Sequence, residues 1–162
     1  MNTKNAILAA AACLAGCANL DHSLPTGASV PAGESVVFGA VYVSSRVTGF
    51  LVGSGSITVI DESSSRTVLT HEIRKLGAPF YWHLPPGKYA IMDLQEKHLS
   101  PRSSTRSKRI YAQFSVDLPS QPVYVGKLLI AAGKNDLSVT VTDDYDKAVR
   151  TLYEDYPKFN AV

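Results

Sequence analysis

The chain has 162 residues, 45% of them hydrophobic, with 16 Lys and Arg against 14 Asp and Glu. So near a balance gives no net field for nucleic acid or for a strongly charged partner. The two cysteines, Cys13 and Cys17, both lie near the start, so no disulfide staples the rest, and a domain of roughly 130 residues must rely on burying about two-thirds of its unfolded-chain surface.

Ala6 to Leu14 form an apolar run behind a single charge, Lys4. The run is shorter than the about 20 residues that a spanning helix needs, and it suits the core of a secretory signal. It closes on Leu14-Ala15-Gly16-Cys17, which resembles the lipobox of bacterial lipoproteins: apolar, small, small, Cys. The resemblance implies that residues 1–16 are a signal peptide cut between Gly16 and Cys17. It also implies a diacylglyceryl thioether on the Cys17 sulfur and a further acyl chain on the new amino group. Each buried methylene adds roughly 0.8 kcal/mol, so two or three chains anchor firmly where one does not. The alternative is an ordinary secretory signal cut elsewhere, with Cys17 a plain thiol. Ala18 and Asn19 follow, and the lack of an Asp there implies, by the same resemblance, the outer membrane facing the periplasm.

Ala18 to Gly33, "ANLDHSLPTGASVPAG", has two prolines, two glycines and few large apolar groups. It reads as a flexible tether, with a coil dimension of roughly 20–25 Å, so that residues 17–33 are lipidated Cys plus spacer and residues 34–162 are the domain. From Glu34 the pattern has period two. "SVVFGAVYV" (Ser35 to Val43) is apolar on both faces and reads as a central strand. "SITVID" and "RTVLTHEI" flank Glu62-Ser63-Ser64-Ser65 as a hairpin, and "VGSGS" (Val52 to Ser56) is a bend entering the first of them. Further on, "RIYAQFSVDL" points Ile110, Ala112, Phe114 and Val116 to one face, and "DLSVTVTD" does so with Leu137, Val139 and Val141. Clean alternation of this kind is that of an antiparallel sheet with one dry face.

In "PFYWHLPPGKYAIMDL", Phe80, Trp82 and Leu84 are expected to face inward, Pro85-Pro86-Gly87 to turn with a positive glycine φ, and Tyr89 and Ile91 to return on one face. The stretch Leu84-Pro85-Pro86-Gly87-Lys88-Tyr89-Ala90-Ile91 resembles the hairpin of transthyretin-like and carboxypeptidase-regulatory-like β-sandwiches. "VYVGKLLI" (Val123 to Ile130) and "VTDDYDKAVRTLYEDYP" (Val141 to Pro157) are similar to the closing strands and tail of bacterial lipoproteins of that type. In the tail, Tyr145, Ala148, Val149, Leu152 and Tyr156 recur at helical spacing, which predicts an amphipathic helix over 144–156 capped by Asp143 or Asp144 and stopped by Pro157. It is expected to cover an edge or open end of the sandwich. The fold class is therefore all-β: an antiparallel β-sandwich, transthyretin-like or Ig-like, of about seven or eight strands with a short C-terminal helix.

Chemistry is sparse. His22, His71, His83 and His98 are scattered, no two at a metal-ligand spacing, so surface or strand-edge histidines are expected and no metal site. Asp143-Asp144-Tyr145-Asp146 lacks the ligand alternation and glycine of a calcium loop and reads as a helix cap. No G-x-S-x-G elbow, P-loop or dinucleotide pattern occurs, so neither a catalytic residue nor a cofactor is expected. The loop "HLSPRSSTRSKR" (His98 to Arg109) gathers Arg102, Arg106, Lys108 and Arg109, which could meet lipid phosphates or an acidic partner; a solvated hairpin loop is the alternative. The expectation is a lipid-anchored, non-catalytic binding or assembly module of the cell envelope, its partner an unidentified protein or lipid. The alternative is an accessory subunit of an envelope secretion or assembly complex, and an enzyme is the third reading.

Overall fold

A computed structural model of the chain describes residues 22–45, 55–73, 77–96, 106–132 and 137–161. The expected signal peptide with Gly16, then Cys17 and the residues up to Asp21, Val52–Ser54 of the expected glycine bend, and His98 to Thr105 lie outside the described residues.

Eight strands form two sheets: β1 (Ser35–Ser45), β2 (Gly55–Asp61), β3 (Arg66–Ile73), β4 (Pro79–Leu84), β5 (Gly87–Glu96), β6 (Arg106–Val116), β7 (Val123–Ala132) and β8 (Leu137–Thr142), followed by helix α1 (Tyr145–Asp155) and a 3-10 helix (Pro157–Ala161). One sheet runs β4-β1-β7-β8 and the other β3-β2-β5-β6. All neighbours are antiparallel except β1 and β7, which are parallel. The all-β sandwich with a short C-terminal helix expected from the sequence is the fold, with one parallel pair at its centre.

Alternation of residues along each strand explains the core. Val37, Val41 and Val43 of β1, Phe80, Trp82 and Leu84 of β4, and Leu128 and Ile130 of β7 meet Ile57, Val59, Tyr89, Ile91, Leu94, Ile110 and Val116 from the facing sheet. Trp82 is fully buried and stacks on Phe80 with ring centroids 4.0 Å apart. Leu94 faces inward despite its even number because a bulge between Ile91 and Asp93 shifts the period by one. A second bulge sits between Phe38 and Gly39. There Gly126 has φ 96°, and a Cβ on Gly39 would lie 2.5 Å from the Gly126 carbonyl oxygen, so two bare backbones must meet. Val141, expected inward, is 54% exposed, because β8 is an edge strand.

Three expectations are corrected. Pro85-Pro86-Gly87 does not close a hairpin: β4 pairs with β1 and β5 pairs with β2 and β6, so the turn carries the chain from one sheet to the other. Gly87 begins β5 without a positive φ. It is small because Tyr89 folds over it, its hydroxyl donating to the Pro85 carbonyl at 2.7 Å and lying 3.1 Å from where a Cβ would stand. The helix covers a face rather than an edge. Leu152 and Tyr156 pack with Val36 and Phe38 of β1 and, more peripherally, Tyr81 of β4 and Tyr124 of β7, all on the side of the sheet away from the main core. Its amino end is held by Asp143, whose carboxylate accepts the Tyr145 amide at 2.9 Å, while Asp144 occupies the cap position without a side-chain bond.

The third correction concerns the tether. Residues 22–33 lie on the domain. The Leu24 amide donates to the Tyr81 carbonyl and the His83 amide to the His22 carbonyl, each at 2.9 Å, with a bridge between Ser23 and Trp82. The short run therefore pairs with the outer edge of β4, protecting the strand groups that the helix was expected to cover. Leu24 is 6% exposed, under Tyr156 and beside Val36. Prolines and glycines make the segment irregular, but one leucine and two backbone bonds fix it; composition does not register those contacts.

Candidate functional site

The docked segment builds a site that no stretch of sequence contains. Antiparallel pairing through Ser23 and Trp82 puts His22 beside His83, and pairing of Ser35 with Leu84 brings Glu34 to the other flank of the same histidine. Phe80, Trp82 and Leu84 face the core, so His83 faces outward, as does Glu34 on β1's outer parity with Val36 and Phe38. The His22 ring Nδ1–H donates to the His83 carbonyl at 2.9 Å, and His83 Nδ1–H donates to Glu34 Oε2 at 2.5 Å. The two imidazole centroids are 5.1 Å apart. Glu34 is itself held: its carbonyl accepts the Ser120 amide at 3.0 Å, and the fully buried Ser35 beside it donates to the Leu118 carbonyl at 2.7 Å.

One ring nitrogen of each histidine and one Glu34 oxygen lie within 4.8 Å of one another. The expectation of scattered histidines is thus overturned for this pair. His22 is buried, at 6% exposure, not a tether residue, and His83 and Glu34 retain 17% and 22% of their side-chain surface. Two imidazoles and a carboxylate form a donor set suited to a zinc-class cation. The signal missed in sequence is the register: separations of 12 and 49 residues acquire meaning only once β1 and the segment flank β4. His71 instead packs by its ring against Phe80 and Trp82, at 5.7 Å from each.

Beside this cluster runs an apolar groove of about 460 Å³, with Ala28, Val30, Pro31, Val36, Tyr156 and Phe159 in its walls. Two tyrosines tie the end of the helix to the docked segment and to β4. Tyr156 donates its hydroxyl to the Leu24 carbonyl at 2.5 Å, and Tyr81 donates to Asp155 Oδ2 at 2.6 Å. Burial, then the bond to Asp155, hold the Tyr81 phenol far above its ordinary range, and burial likewise raises Tyr156. Beside the Pro85–Gly87 crossover, Asp61 accepts bonds from Ser63 and Ser64, which lower its pKa and close the β2–β3 hairpin.

The basic residues do not form one loop. Arg102 lies outside the described residues, whereas Arg106, Lys108 and Arg109 belong to β6. The register sets Asp93 opposite Arg109 and Glu96 opposite Arg106, so acidic neighbours stand across from two of the four. Among the described residues no helix is long and apolar enough to cross a membrane. No protein-family model matches the chain, and no curated protein matches it.

Proposed function

We propose that this chain is a lipid-anchored lipoprotein of the bacterial cell envelope, with a transthyretin-like sandwich that serves as a non-catalytic binding or assembly module facing the periplasm. The lipobox Leu14-Ala15-Gly16-Cys17 carries the reading. Its position adds a constraint: from Cys17 to His22, the first docked residue, the chain reaches at most about 18 Å. A lipid on Cys17 would therefore hold the sandwich close to the headgroups by the edge of β4, not at the end of a long leash. The apolar groove and the His22–Glu34–His83 cluster stand on that membrane-side segment and are the surfaces offered to a partner.

The test is intact-mass analysis of the native product together with fractionation of a Cys17→Ser variant. The expected result is a chain beginning at an acylated Cys17, and a variant released from membranes. An unmodified residue 17, or one still joined to Gly16, removes the anchor and the location with it. Affinity purification of the acylated protein from crosslinked envelopes then separates the two forms of the module: a stoichiometric membrane complex marks an accessory subunit, and its absence a free-standing binder.

A further inference from the structure

The geometry points to a zinc-binding clasp formed by His22, Glu34 and His83, in which one divalent cation ties the segment before β1 to the sheet. This inference rests on side-chain placement and stands whether or not Cys17 is acylated.

Three observations carry it. The first is the donor set, two imidazoles and a carboxylate with ligand atoms within 4.8 Å of one another. Zinc–nitrogen bonds of about 2.0–2.1 Å at a tetrahedral angle place two imidazole centroids about 5 Å apart; those of His22 and His83 are 5.1 Å apart. Closing the ligands onto one ion thus takes ring rotations, with no movement of the strands required.

The second is the hydrogen bonding around the rings. His22 Nδ1–H donates to the His83 carbonyl, the usual outer-shell support that fixes tautomer and orientation in a histidine ligating through its other nitrogen. His83 Nδ1 and Glu34 Oε2 already share one proton, and a divalent cation that displaces it takes both atoms as ligands and releases the proton to solvent.

The third is access. His22 is buried against the sheet while His83 and Glu34 keep 17% and 22% of their side-chain surface, so an ion reaches the site from solvent and completes its coordination with water. Such an ion would also supply the segment with a bond stronger than its few hydrogen bonds. The docking of residues 22–24 then tightens with metal supply, because a ligand bound only by the docked form stabilises that form by RT ln(1 + c/Kd) at free concentration c.

Zinc chloride titrated into the full-length chain in detergent, followed by calorimetry, tests the inference. The expected result is saturable one-to-one binding, a Tm that climbs with zinc concentration, and an X-ray absorption spectrum with two imidazole ligands. Glu34→Gln keeps a carbonyl to accept from His83 but removes the charged ligand, and His22→Gln removes one imidazole. Each should weaken binding by about tenfold to a hundredfold while a cooperative unfolding transition persists in EDTA. If His22→Gln fails to fold, Glu34→Gln alone decides. Wild-type chain that shows no saturable uptake overturns the clasp. So does binding unchanged in Glu34→Gln, which would assign the metal to other histidines such as His71 or His98.

Discussion

Replacing Leu24 by Ala separates a docked segment from a tether. Leu24 is 6% exposed and packs with Val36, Phe38, Leu152 and Tyr156. Full burial of a leucine side chain is worth about 1.5–3 kcal/mol, and truncation to Ala in a core costs about 2–5 kcal/mol once the cavity is included. This cluster lies at the periphery and can collapse in part, so about 2–3 kcal/mol is expected. The two backbone bonds, from the Leu24 amide to Tyr81 and from Tyr156 to the Leu24 carbonyl, survive the substitution, so the side chain alone is measured. Urea unfolding followed by circular dichroism is the assay. With a slope of about 1–3 kcal/mol per molar urea, the midpoint should fall by roughly 1 M or more at unchanged slope. A loss below about 0.5 kcal/mol is what an exposed substitution gives, and would mean that residues 22–24 hang free and that the site built on His22 does not form.

The buried tyrosines give a pH prediction. Tyr81 and Tyr156 are raised, and burial pushes Tyr89 up to about 12 from an ordinary 10.0. A phenol whose pKa rises on folding contributes stability that is complete below its unfolded pKa and is lost as pH climbs toward the folded one. Stability should therefore hold up to about pH 10 and decline above it, with late phenolate absorbance appearing together with loss of structure; all eight tyrosines titrating in one step near pH 10 in a folded chain would contradict this. Trp82 is fully buried and its indole N–H has no hydrogen-bond partner among the described residues. Trp82→Phe, which removes that orphan donor, should cost less than about 1.5 kcal/mol, against about 3–5 for Trp82→Ala; equal losses would show that the N–H matters. Replacing Arg102, Arg106, Lys108 and Arg109 with Gln should change affinity for anionic liposomes less than about twofold, given Asp93 and Glu96 across from two of them. A tenfold loss would restore the basic residues as a membrane contact.

Much of the fold was legible because burial on one face writes itself into alternate residues. Phe80, Trp82 and Leu84, or Ile110 and Val116, needed nothing beyond period two, and Leu152 with Tyr156 nothing beyond helical spacing. Which sheet each strand joins was not legible. A Pro-Pro-Gly turn looks alike whether the next strand returns beside its predecessor or crosses to the opposite layer. The candidate site was less legible still. His22, Glu34 and His83 each look ordinary in local context, and their meeting follows from two pairings, Ser23 with Trp82 and Ser35 with Leu84, neither of which has a local signature.

The parallel pairing of β1 with β7 orders events in time. The opening strand of the sandwich has one permanent neighbour, residues 123–132, that arrives only when most of the polypeptide has been synthesised. Leu24 waits longer still, for a hydroxyl 132 positions ahead. Such distant partners make for slow closure, and an amino-terminal half emerging alone from the ribosome has half a sheet to satisfy and no lid. The architecture thus keeps the nascent chain from locking early, leaving it open until its last third has been made.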